Sequence, residues 1–108
     1  MKRTKKQRLE RAGWAVSSAA DFLGLTDEEA RFVELKLALA AGVRRFRQRR
    51  GLTQAGLARE IGSSQSRVAK MEAGDASVSV DLMIRSLFEI GARPSDIARL
   101  IRARTPAA

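Results

Sequence analysis

The sequence predicts one folded domain of the all-α class, with five to six helices. Apolar residues recur at spacings of three and four along most of the chain, and no stretch of useful length alternates with a period of two. Glycines, prolines and hydroxyl side chains stand between these apolar stretches, where they can begin and end short helices. The length of 108 residues is typical of a single domain.

The chain begins with a strongly basic segment. We expect residues 1–16 to form a basic N-terminal arm and residues 17–104 to form the domain. Ser17 or Ser18 can cap a short helix that stops at Gly24. The domain is therefore expected to open with an N-terminal helical extension.

A long helix is predicted next. Thr26 and Glu29 have the spacing of a capping box, in which each side chain accepts a backbone N–H that the helix itself cannot use. The helix runs to about Arg50, and Gly51 ends it. Its apolar face is formed, at spacings of three and four, by Phe32, Leu35, Leu39, Gly42, Val43 and Phe46.

Two short helices follow the long one. Thr53 caps the first of them, over residues 54–61. Ser64 or Gln65 starts the second, which runs to about Ala73.

Two further helices complete the predicted domain. Ser79 caps a helix over residues 80–90, and Pro94 suits the first turn of the final helix. The apolar face of that final helix consists of Ile97, Leu100 and Ile101. Because this face would be exposed in a monomer of this size, we predict a symmetric contact between two copies through the final helix.

The composition excludes several classes of protein. The chain has no histidine and no cysteine, which removes the commonest general base, the thiol nucleophile and the usual ligands of zinc and haem. We therefore expect no enzymatic activity, no metal site and no cofactor. The longest apolar stretch, residues 37–43, is far shorter than a membrane span, and the basic N-terminus lacks the apolar run of a secretory signal. A cytoplasmic protein with no membrane partner is expected.

The net charge of +9 is concentrated in two segments. Residues 1–11 carry six basic side chains and one acidic one, and residues 44–50 carry five arginines. Two concentrated basic segments on a nearly neutral body favour a polyanion as the partner. Since only 5% of the residues are aromatic, stacking on single-stranded bases is disfavoured and double-stranded DNA fits better.

Residues 54–73 meet the requirements of two short helices that cross at a steep angle. The crossing needs a small side chain, which Ala58 supplies, and the bend needs a residue that tolerates positive φ, which Gly62 supplies. Between the helices lie the apolar side chains of Leu57, Ile61, Val68 and Met71. This pattern is typical of a helix-turn-helix, and it resembles the lambda-repressor-like, Xre-family motif over its full length. One departure is Gly56, where that family usually has a helix former such as glutamate, and a helical glycine costs about 0.5–1 kcal/mol relative to alanine.

The resemblance implies that the helix over residues 65–73 enters the major groove of double-stranded DNA. Glutamine can pair with adenine through two hydrogen bonds, and lysine or arginine can pair with guanine. The residues that match DNA-binding positions are Gln54, Ser64, Gln65, Ser66, Arg67 and Lys70. Gln54 matches the position that bonds a phosphate, and Gln65 is the leading candidate for base readout. The alternative is an ordinary solvated helix face.

The arginines of residues 44–50 separate by their positions around the helix. Arg44 and Arg45 point away from the apolar face, toward solvent or phosphate, whereas Arg47 lies along its edge. In repressors of the resembling family, an arginine at that position pairs with the glutamate that matches Glu72. We therefore expect an Arg47–Glu72 ion pair that ties the long helix to the recognition helix.

Two functions of different classes are compatible with these features. The first is a sequence-specific regulator of transcription, such as a repressor, that binds DNA as a homodimer with one half-site for each copy. The second is an antitoxin. The helical extension ahead of the motif resembles the layout of HigA-type antitoxins, which neutralise a toxin protein and also repress their own operon. No toxin-wrapping segment is evident, and the extension is equally compatible with a role in the core or in a dimer surface.

Deleting residues 1–11 should change how DNA affinity depends on salt. If this arm contacts the DNA backbone, the full chain should lose about 0.9 log units of affinity per log unit of salt for each phosphate that it neutralises. The deletion should make that slope shallower and leave the preferred sequence unchanged, as measured by binding titrations at several salt concentrations. An unchanged slope would show that the arm does not touch DNA.

Overall fold

The computed structural model describes residues 23–104, and all regular structure in that part of the chain is helical. Five helices follow one another: α1 Asp27–Arg49, α2 Gln54–Glu60, α3 Gln65–Ala73, α4 Val80–Glu89 and α5 Pro94–Arg104. The all-α prediction is confirmed. The predicted basic arm, and the start of the helix that Ser17 or Ser18 would cap, lie outside the described residues.

Helix α1 begins at the predicted capping box. Thr26 Oγ1 accepts the backbone N–H of Glu29 at 3.1 Å, and Glu29 Oε1 accepts the backbone N–H of Thr26 at 2.8 Å. Three acidic residues stand in the first turn, where they interact favourably with the helix dipole. The helix ends at Arg49, one residue before the predicted end, and Gly51 follows with a positive φ of 68°.

The three middle helices are each capped by a hydroxyl side chain. Thr53, Ser64 and Ser79 accept backbone N–H groups in the first turns of α2, α3 and α4, at 2.9 to 3.1 Å. The predictions at Thr53 and Ser79 are confirmed, and of the two candidates for the start of α3 the structure selects Ser64. At Gly56 an added Cβ would lie 3.3 Å from Thr53 Oγ1, so glycine leaves room beside the α2 cap.

The core lies along α1, which packs against α3, α4 and α5, while α2 packs mainly on α3. Each helix supplies side chains that are completely or almost completely buried: Leu39, Val43, Leu57, Val68, Met71, Met83, Leu87, Ile97 and Leu100. Burying one such aliphatic side chain contributes about 1.5–3 kcal/mol, so packing stabilises helices that are too short to form alone.

The N-terminal part of α1 differs from the prediction. Phe32 belongs to the predicted apolar face of this helix, but its side chain is 52% exposed. Helix α1 has 23 residues and is about 34 Å long, whereas the helices packed against it have 9 to 11 residues and span at most about half of that length. Its first turns therefore extend beyond them.

The prediction of a dimer contact through the final helix is wrong in its premise. Ile97 and Leu100 are each only 9% exposed, and Ile101 packs against the same core. Helix α5 approaches α1 closely because Gly42 has no side chain, and a Cβ there would collide with Leu100. The apolar face of α5 is thus covered within one chain and is not free for a second copy.

The start of α5 is organised by one carboxylate. Asp96 is 10% exposed at its side chain, and its Oδ2 accepts the backbone N–H of Arg93 at 2.8 Å and Arg93 Nε at 3.2 Å. Its Oδ1 accepts Arg99 Nη1 at 3.0 Å. The hydrogen bonds from the Arg93 side chain and backbone, together with the two guanidinium charges, lower the pKa of Asp96 to about 2.

This lowered pKa predicts an acid-dependent loss of stability. Asp96 has a lower pKa in the folded chain than the value of about 3.9 that it takes when unfolded, so its contribution is complete above about pH 5 and is lost as the pH falls toward 2. We expect Asp96→Asn to be less stable than the wild type in urea at pH 7, and the difference to shrink between pH 4 and 2. A difference that stays constant across that range would contradict this role.

Candidate nucleic-acid interface

Helices α2 and α3 are held together at a short turn. Ala58 is 3% exposed where they cross, and Gly62 in the turn has a φ of 66°, as its predicted role requires. The backbone N–H of Ser63 donates to the carbonyl of Ala58 at 2.8 Å and closes the turn. The pair is therefore locked by packing and by backbone hydrogen bonds.

One face of α3 is buried and the opposite face is free. Val68 and Met71 are completely buried against the core. The exposed side chains at and after the start of the helix are Ser64, Gln65, Ser66, Arg67 and Lys70. Within the described residues, the side chains of Arg67 and Lys70 form no ion pair, so both charges are free on this face.

The buried end of α3 carries a charge. The Glu72 side chain is only 2% exposed and lies against Arg47 of α1, whose side chain is 12% exposed. Arg47 donates from Nε to Glu72 Oε2 at 2.5 Å and from Nη2 to Oε1 at 3.1 Å. Its Nη1 also donates to the carbonyl of Leu52 at 2.8 Å. The hydrogen bonds to Glu72 raise the pKa of Arg47 above its ordinary value, against the opposing effect of burial, and the charge of Glu72 adds to the increase.

Two glutamines continue this contact to the surface. Gln54 Nε2 donates to Glu72 Oε1 at 3.1 Å, and Gln65 Nε2 donates to Gln54 Oε1 at 2.7 Å. An ionised carboxylate only accepts hydrogen bonds, so Gln54 must turn its amino group toward Glu72 and its oxygen toward Gln65. These hydrogen bonds could not be predicted from the sequence, because Gln54 and Gln65 belong to different helices and their spacing does not show that the two amides meet.

The remaining arginines of residues 44–50 divide into paired and unpaired groups. Arg44 Nε lies 3.7 Å from Glu72 Oε1, with a side chain that is 61% exposed. Arg50 forms an ion pair with Glu60 at 3.0 Å. Arg45 and Arg49 are both exposed and line a cavity beside α5, and Arg45 also lines the cavity that contains Arg44 and Glu72.

No group of three or more acidic side chains in the described part of the chain is arranged to hold a metal ion. The helices between residues 23 and 104 include none with the length and apolar character needed to cross a membrane.

Replacing Glu72 with glutamine should destabilise the fold. The side chain keeps its shape but loses its charge, which leaves Arg47 as a nearly buried cation without a counter-ion. We expect Glu72→Gln to lower the free energy of unfolding by about 3 kcal/mol in urea at pH 7. The matched control is Asp81→Asn, which removes the partner of Arg85 from an exposed pair at 3.3 Å and should cost less than about 1 kcal/mol. Equal losses in the two variants would contradict the organising role of Glu72.

Comparison with known proteins agrees with this geometry. Residues 43–85 match the model of a family described as helix-turn-helix. No curated protein and no solved structure gives a significant match. The matched segment covers less than half of the chain, but it contains Arg47, all of α2 and α3, and Glu72. This match supports the predicted resemblance to a helix-turn-helix family over residues 43–85.

Proposed function

We propose that this chain is a sequence-specific regulator of transcription that binds double-stranded DNA with α3 in the major groove. The observation that carries this proposal is the hydrogen-bonded chain from Glu72 through Gln54 to Gln65, which fixes the side chain of Gln65 at the exposed start of α3. The similarity to a helix-turn-helix family and the concentration of positive charge support the same function.

The hydrogen-bonding groups that Gln65 has left suit adenine. One of its two amide hydrogens is used by Gln54, so one N–H and the carbonyl oxygen remain. Adenine offers an acceptor, N7, and a donor, the N6 amino group, in the major groove. A single oriented glutamine can satisfy both groups. Arg67 and Lys70, which are exposed and unpaired, are proposed to contact guanine edges or phosphates.

The neighbouring residues are proposed to position the protein on the backbone. Gln54 still has a second amide hydrogen for a phosphate, since only one is directed to Glu72. Ser64 and Ser66 are exposed beside Gln65 and are short enough to bond to a base edge or a phosphate. Arg44, which is largely exposed near Glu72, adds a charge that does not depend on sequence.

A homodimer is part of the proposal. One short recognition helix reads only a few base pairs, and two copies related by a twofold axis would read half-sites about one helical turn apart. The final helix does not supply the dimer contact, because its apolar face is buried in its own chain. We propose repression in the cytoplasm, by occupation of an operator, as the mode of action.

Gln65→Ala gives the decisive test. The preferred site is first selected from random duplex DNA, and affinities for this site and for random DNA are then measured at one fixed salt concentration. We expect Gln65→Ala to cost about 1–3 kcal/mol on the selected site and to relax the preference at one base pair in each half-site. Affinity for random DNA should change little.

Arg44→Ala is the control, because a backbone contact contributes equally to all sequences and its loss should weaken both complexes alike. If Gln65→Ala instead lowers both affinities equally, α3 does not read bases. The motif would then act through a protein partner, and a HigA-type antitoxin that binds a toxin would become the first hypothesis.

A further inference from the structure

Three arginines meet where the C-terminal half of α1 packs on α5. Arg45 and Arg49 stand about one turn apart on α1, and Arg99 approaches them from α5. All three are exposed. They line a shallow cavity of about 150 Å³, whose walls also include Phe46 and Asp96.

This cavity faces away from the recognition helix. At about 100° per residue, Arg45 and Arg49 each lie about 160° around the axis of α1 from Arg47. Arg47 is directed to Glu72 of α3. Arg49 is therefore on the opposite side of α1 from the contact with α3. Arg45 stands between the two sides, because its side chain also lines a neighbouring cavity with Arg44 and Glu72.

The charges in this cavity are available to a ligand. The other three arginines of residues 44–50 each have a carboxylate close by. Among the described residues, no carboxylate lies within ion-pair distance of Arg45 or Arg49. All five arginines belong to the same short segment, so whether each has a nearby carboxylate depends on the helix that it faces.

Two of the guanidinium groups are already held in place. Arg49 lies over the ring of Phe46, with its central carbon 5.3 Å from the ring centroid, so its planar group rests on an apolar support. Arg99 is hydrogen-bonded to Asp96 at 3.0 Å. Among the described residues that line the cavity, Asp96 is the one carboxylate, and it is also bonded to Arg93, so its charge is largely compensated.

Building on the proposed DNA-binding function, we propose that Arg49 and Arg99, with Arg45 at the edge, form a second surface for the phosphodiester backbone of DNA, on the side of α1 away from α3. Guanidinium groups match phosphate oxygens through paired hydrogen bonds. A backbone carries a charge at every nucleotide and can occupy several guanidinium groups at once, which a lone carboxylate cannot do. The bound segment is either a flank of the duplex that α3 reads or a second duplex, and the experiment separates these two sources.

The test compares Arg49→Glu with Arg31→Glu, since Arg49 lines this cavity and not the one beside Glu72. Both residues are exposed on α1 and both substitutions change the net charge equally, but Arg31 lies in the first half of the helix, away from the cavity. In the first arm, the salt dependence of DNA affinity is measured for two duplexes, one with long sequences flanking the selected site and one with the selected site alone. In the second arm, protein bound to an immobilised selected site captures a labelled duplex of unrelated sequence.

The proposal predicts an effect of Arg49→Glu in one of these arms. If the surface holds a flank, the salt slope on the long duplex becomes shallower by about one to two units, since each phosphate contributes about 0.9. If it holds a second duplex, capture falls at least tenfold. Arg31→Glu should stay within twofold of the wild type in both arms.

The proposal is overturned if the two variants behave alike in both arms. It is also overturned if Arg49→Glu changes only the association of the chain with itself, measured by sedimentation without DNA, because the surface would then bind acidic protein. The proposal that α3 reads the base sequence is tested independently, because that test uses Gln65→Ala and compares the selected site with random DNA.

Discussion

The buried carboxylate of Glu72 determines how the central part of the molecule is assembled. With 2% of its side chain exposed, this charge has lost almost all of its water, and it must be matched by donors from the protein. Arg47 brings two donors from α1, and Gln54 brings one from α2. Three helices therefore meet at one anion. Packing of α3 and alignment of its exposed glutamine are two results of the same contact.

Much of the fold could be predicted because its signals are local. The capping contacts of Thr26, Thr53 and Ser79 join residues three apart, and such contacts depend on little beyond the neighbouring sequence. The apolar faces of α2 and α3 were also predictable. Periodicity identifies which face of a helix is apolar, although it does not identify what covers that face. For this reason the periodicity includes Phe32 in an apolar face although its side chain is more than half exposed. For the same reason it predicts an exposed apolar face on α5, which α1 in fact covers.

The residues of the candidate site could be predicted from the sequence, but the hydrogen bonds through its two glutamines could not. The motif gives the positions of Gln54 and Gln65, but their hydrogen bond depends on how α2 crosses α3. The split among the arginines of residues 44–50 likewise depends on which helices flank α1. Toward α3 they meet the carboxylate of Glu72. Toward α5 they meet Asp96, which already accepts hydrogen bonds from Arg93, just before α5, and from Arg99 within it. One basic segment of sequence thus becomes two surfaces with different electrostatic character.

The chain of amides that ends at Gln65 has a direction. A carboxylate at its inner end admits only one order of donors and acceptors along Gln54 and Gln65, because that end can only accept. A neutral amide in the same place would admit both orders, and the outer glutamine could then present its oxygen and its amino group in exchanged positions. The carboxylate of Glu72 therefore fixes which positions the oxygen and the amino group of Gln65 take at the surface. The orientation of the exposed Gln65 amide is thus determined by Glu72, a buried residue on the far side of Gln54.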